Sequence, residues 1–197
     1  MTSRDPFFEP LPTAETEPGG ERALGNVPWV PPLNVVPVLL PLAIDVATTD
    51  AVVLRLGHAQ VYDRGVQLHL EGWLHPDASS RVDGPYGLRS EPRVGLLLGD
   101  GTKVGARADD AMAPELGSVA GTSLSRTEGG SSDLRLTQTW WVRPVPTEPF
   151  ELVLSWADVD VPETFVALDG AAMEVASHGA RELWPLADLE GDFGWFA

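Results

Sequence analysis

Val52-Val53-Leu54-Arg55-Leu56-Gly57-His58-Ala59-Gln60-Val61-Tyr62-Asp63-Arg64-Gly65-Val66-Gln67-Leu68-His69-Leu70-Glu71-Gly72-Trp73 is the stretch that decides the fold class. Val52, Leu54 and Leu56 alternate with Val53 and Arg55, a period of two that turns one strand face toward a core. The phase then slips, because Ala59 and Val61 are apolar between His58 and Gln60. A one-residue slip moves every later side chain to the opposite face. Gly57 stands at the slip, which predicts a β-bulge or a change of sheet there. Arg64-Gly65 predicts a two-residue hairpin turn, pairing Val61 with Leu68, Ala59 with Leu70, Gln60 with His69 and His58 with Glu71. Val66, Leu68 and Leu70 carry the alternation into the returning strand.

Further strands follow outward from this hairpin. Residues 76–92 are punctuated by Pro76, Asp83-Gly84-Pro85, Gly87 and Pro92 and read as loop. Arg93 to Leu98 and Lys103-Val104 flank Asp100-Gly101, a strong hairpin signal. Residues 106–133 read as a long polar insertion. Leu134, Leu136, Gln138, Trp140 and Val142 alternate with Arg135, Thr137, Thr139, Trp141 and Arg143, and Phe150, Leu152, Leu154 and Trp156 share one face of the next strand. Phe165 to Leu168 forms a short last strand. Asp169 is the N-cap of a helix whose stripe is Ala172, Val175, Ala176, Gly179 and Leu183, ending before Pro185.

Residues 1–33 hold seven prolines without periodicity and read as a flexible or extended arm. Its end, Val27 to Leu33, suits docking on the domain or on a partner, with the chain's own domain favoured. Residues 34–186 form the domain, and residues 187–197 an acidic aromatic tail. The whole is expected to be all-β: an immunoglobulin-like antiparallel β-sandwich with one C-terminal helix.

Composition narrows the function. Thirteen basic residues against 29 acidic ones give a net charge of −16. Phosphate-backbone binding needs clustered Lys and Arg, so nucleic acid and anionic membrane are excluded as partners, and a basic protein fits better. More than half of the net charge falls in residues 151–197, where Arg181 is the only base. The absence of cysteine excludes disulfides, thiolate metal sites and cysteine nucleophiles. The apolar run Val35 to Ile44 is short for a bilayer span and contains Pro37 and Pro41. No secretory signal opens the chain, and a cytoplasmic location is expected. Lys103 is the single lysine, and Asn26 and Asn34 are the only asparagines, a bias that suggests a high-GC genome.

The hairpin around residues 53–74, Gly95 with the Asp100-Gly101 turn, Trp140-Trp141-Val142-Arg143-Pro144, and Trp156 followed by Val161-Pro162-Glu163-Thr164 occur in a fixed order. Over roughly residues 50–185 they resemble a group of uncharacterised actinobacterial (high-GC Gram-positive) small β-rich domain proteins. The resemblance implies a β-rich fold and carries over no catalytic residue.

Chemistry-bearing clusters are few. Asp158, Asp160 and Glu163 suggest a metal or a carboxylate pair, but Pro162 and Glu163 interrupt any EF-hand spacing. His58, His69 and Glu71 share a face in the proposed hairpin, a conceivable metal site without a His-Glu-x-x-His motif. No Gly-x-Ser-x-Gly elbow occurs, and Gly99-Asp100-Gly101-Thr102-Lys103 lacks the spacing of a phosphate loop. No catalytic residue, cofactor or metal is therefore assigned. Seven tryptophans point instead to packing and contact surfaces. Trp140 and Trp141 point to opposite faces, so one needs a second cover from the helix, the arm or a partner. Trp73, Trp141, Phe193, Trp195 and Phe196 are the candidate protein-binding residues. The reading is a non-catalytic protein-interaction module whose acidic surface or tail binds another protein, with the oligomeric state left open. The alternatives are a carbohydrate-active or metal-dependent enzyme, an immunity-type inhibitor of a basic toxin, and a structural component of an assembly.

Overall fold

A computed structural model describes residues 25–84, 87–88, 90–105, 121–132 and 134–188. Thirteen strands occur among them. In chain order they begin with β1 (Val35–Val36), β2 (Val38–Thr48), β3 (Val52–Val61) and β4 (Val66–Leu74). Helix α1 (Pro76–Val82) precedes β5 (Asp83–Gly84), β6 (Gly87–Leu88), β7 (Arg93–Leu97) and β8 (Lys103–Gly105). Next come β9 (Ser123–Ser132), β10 (Arg135–Arg143), β11 (Phe150–Trp156) and β12 (Val161–Leu168). Helix α2 (Gly170–Ser177) and β13 (Arg181–Glu182) complete the order.

Two antiparallel sheets make the body, a five-stranded one ordered β2-β3-β4-β10-β9 and a four-stranded one ordered β12-β11-β7-β8. They share one hydrophobic core. Leu54, Leu56, Leu68, Leu136 and Trp140 from the first sheet meet Leu96, Leu152, Leu154 and Trp156 from the second. Each such side chain contributes about 2 kcal/mol by leaving water. The architecture is all-β and sandwich-like. Edge β2 lies against β12 and edge β8 against β9, so the two sheets also meet along their sides.

The bulge predicted at Gly57 is present, as the β3–β4 register shifts between Leu56 and His58. It keeps Val52, Leu54, Leu56, Ala59 and Val61 all buried across the phase slip. The turn sits one residue earlier than predicted. Tyr62 N–H donates to the Gly65 carbonyl at 2.9 Å, so the loop is Asp63-Arg64. Ala59 consequently pairs with Leu68, and His58 with His69. A shift of two in register preserves the faces, which is why the alternation alone did not reveal it. Gly65 serves close approach rather than the turn: a Cβ there would lie 2.6 Å from the Trp141 ring and 2.5 Å from the Val142 carbonyl oxygen.

Other expectations need correction. Pro76–Val82 is a helical turn, not loop, with Pro76 opening it where its missing N–H costs nothing and Ala78 and Val82 buried. Ser123–Ser132, assigned to the polar insertion, is an edge strand paired along β10. Its Ser, Thr and Gly residues hide the signal because few of its side chains enter the core. The turn at Asp100-Gly101 has three loop residues, with Gly101 alone at positive φ (84°) and Leu98 N–H donating to the Thr102 carbonyl. Asp169 does cap α2, accepting from Ala172 N–H at 3.0 Å. The stripe differs: Met173 is buried, Val175 is exposed, and Leu183 lies beyond the helix next to β13.

Candidate functional site

The carboxylate and histidine clusters do not converge. Asp158 lies in a 3-10 turn (Ala157–Val159), Asp160 follows in the left-handed conformation, and Glu163 sits on β12. Among the described residues no group of three His, Asp or Glu side chains is placed to hold a metal ion. His58 and His69 stack face to face with ring centroids 4.0 Å apart, an arrangement that does not aim two lone pairs at one ion. Glu71 turns to Arg135, 3.8 Å away. His69 Nε2 is buried without a hydrogen-bond partner. Burial, and then the nearby His58 charge, pulls the His69 imidazole down from 6.5 to about 4.

The tryptophans sort by cover. Trp140 and Trp156 fill the core, and their indole N–H groups donate to Gln138 Oε1 (3.2 Å) and Ser90 Oγ (2.9 Å). Gln138 is itself fully buried, and its amide nitrogen donates to Glu91. Trp141, expected as a contact residue, is 1% exposed. Its N–H donates to the Pro28 carbonyl at 3.1 Å, and Tyr62 meets its ring edge-on. The end of the proline-rich arm is thus the cover that Trp141 required, and residues 25–33 are part of the domain's packing. Trp73 is half-buried on the outer face of β4, with the Arg135 guanidinium 5.0 Å from its ring centroid. Phe193, Trp195 and Phe196 lie outside the described residues.

The most exposed described indole is one the sequence reading passed over. Trp184 is 55% exposed, and Leu33, Val36, Leu39 and Leu183 are also exposed. These five lie on two segments that the fold joins. β1 pairs with β13, and Leu183 N–H donates to the Asn34 carbonyl at 2.8 Å. Beneath them the chain's only two asparagines are buried and knit the segments together. Asn26 donates to Asn34 Oδ1, and Asn34 donates to the Trp184 carbonyl (2.7 Å) and Glu182 Oε1 (3.1 Å). Glu182 and Asp188, on the same segment as Leu183 and Trp184, are exposed, and Asp188 pairs with Arg64. The only sequence signal for this surface is a Leu-Trp-Pro segment placed after the helix ends.

No family model matches this chain, and neither does any curated protein or any solved structure. Among the described residues no helix is long and apolar enough to cross a membrane.

Proposed function

We propose that this protein is a non-catalytic protein-interaction module. The observation that carries the reading is the exposed group Leu33, Val36, Leu39, Leu183 and Trp184 around the β1–β13 ribbon. Single exposed apolar residues are ordinary, whereas several on two paired segments, one of them a Trp, suit a contact surface. Glu182 and Asp188 on the same segment as Trp184, with the net charge of −16, favour a partner that presents apolar side chains among basic ones. An immunity-type inhibitor of a basic toxin is a specific form of the same reading. We take the immunoglobulin-like label for architecture alone. Two antiparallel sheets around a Trp-bearing core support it, while the meander of β2, β3 and β4 within one sheet differs from the immunoglobulin strand order.

The test is cross-linked capture from source-cell lysate by the wild type and by the pair Leu183→Ser with Trp184→Glu. A basic partner recovered by the wild type and lost by the variant is expected. Equal recovery, or no partner for either, refutes the proposal.

A further inference from the structure

The outer face of the four-stranded sheet carries a notch that the described residues leave open. Register sets its shape. Val153 of β11 pairs with Phe165 of β12 and Gly95 of β7, and Gly95 pairs with Gly105 of β8. One row across the sheet therefore reads Phe165, Val153, Gly95, Gly105, with side chains at one end and bare backbone at the other. Arg93 lies two residues along β7, on the same face. Lys103 precedes Gly105 by two residues on β8. The space between them is an open cavity of about 310 Å³ lined by these residues, the lower end of the range of about 300–1,000 Å³ for ligand sites. Phe165, at its apolar end, is 48% exposed.

The charge here runs against the rest of the chain. Lys103 is the only lysine in a protein of net charge −16, and it shares this notch with Arg93. Neither side chain makes a hydrogen bond or ion pair among the described residues. Glu163 lines the opposite, β12 side. The site is thus cationic over β7 and β8, apolar over Val153 and Phe165, and acidic at its far rim. General repulsion keeps an acidic ligand off the remaining surface, so one that binds must do so locally.

We propose that this notch takes an extended segment of a partner protein in which an aromatic side chain is flanked by carboxylates. The ring lies on Val153 and Phe165 beside the glycine floor, and carboxylates on either side of it meet Arg93 and Lys103, which flank the Gly95–Gly105 row. The inference goes beyond the β1–β13 surface and uses none of its residues.

The probe is the synthetic peptide acetyl-Asp-Glu-Trp-Glu-Asp-amide, which has this chemistry, titrated calorimetrically into the full chain. Gly105→Leu fills the notch, and a Cβ at that position meets nothing within 4 Å, so its melting temperature should be unchanged or higher. Binding by the wild type is expected to weaken at least about tenfold in Gly105→Leu, in the pair Arg93→Glu with Lys103→Glu, and when the peptide acids are replaced by amides. Trp184→Ala should leave it unchanged, which separates this outcome from the test of the β1–β13 surface. Equal affinity for wild type and Gly105→Leu, loss through Trp184→Ala alone, or no wild-type binding at about 1 mM peptide overturns the proposal.

Discussion

Acidifying the protein from pH 7.5 to pH 4 is expected to cost stability through His69 in particular. This imidazole lies on β4 against His58, with its Nε2 buried and unpartnered. Its folded-state value is lowered from 6.5 to about 4. Above 6.5 the ring is neutral both folded and unfolded and contributes no pH dependence. Between 6.5 and 4 the unfolded chain takes up a proton that the folded chain refuses, so stability falls as pH falls through that window. At about 1.4 kcal/mol per tenfold the full shift corresponds to about 3 kcal/mol. Because His69 is only half-buried, solvent screening reduces this to about 1–2 kcal/mol. Urea unfolding at pH 7.5, 5.5 and 4 should be compared between wild type and His69→Phe, since the many carboxylates titrate in both and cancel in the difference. The wild type should lose about 1–2 kcal/mol more than the variant on going to pH 4. The ring resonance of His69 should titrate near 4, and His58→Gln should move it upward. Parallel pH curves for wild type and His69→Phe refute the reasoning.

Three substitutions test the packing. Gln138→Ala leaves the buried Trp140 N–H without its acceptor and opens a cavity in the core, while Glu91 keeps its pairing with Arg126; it should cost about 2–4 kcal/mol in chemical denaturation. Gly65→Ala forces a methyl to within 2.6 Å of the Trp141 ring. A loss of about 1–3 kcal/mol and an altered near-ultraviolet dichroism are expected. Asp169→Ala removes the cap that accepts from Ala172 N–H and should lower the unfolding free energy by about 1 kcal/mol.

The parts of the fold visible in the sequence are those where burial imposes a period. The inward residues of β3, β4, β10 and β11 alternate because one face of each strand meets the other sheet, and the Gly57 slip was legible as a bulge. What depends on pairing was not. Gly65 answers to Trp141, a residue 76 positions away, rather than to the turn beside it, and β9 pairs through backbone with side chains that report little. The same limit governs the candidate surfaces. A Trp count cannot say which indoles find cover: Trp141 is closed by the arm, while Trp184 stays open because β13 ends before it. The notch on the four-stranded sheet depends on Gly95 and Gly105 standing side by side, which only the β7–β8 register reveals.

Asn34 ties stability to the proposed interaction surface. It is 2% exposed and uses its amide nitrogen to donate to the Trp184 carbonyl and Glu182 while its oxygen accepts from Asn26. Asn34→Asp keeps the shape and exchanges the donor for a second acceptor, so an anionic oxygen then faces a carbonyl and a carboxylate. Loss of a charge-assisted bond with burial of an unpaired charge should cost about 3 kcal/mol or more at pH 7. Protonating that carboxyl restores one donor, so the deficit relative to wild type should shrink on acidification. That trend is opposite in sign to the one assigned to His69. Asn34→Ala removes the donor without adding charge and should show a deficit that does not vary with pH. Denaturation of the two variants at pH 7.5 and 5 measures this directly. If Asn34→Asp is no less stable than Asn34→Ala at pH 7.5, the amide does not hold Trp184 by donating to it, and the ribbon that presents Trp184 is secured by its backbone pairing alone.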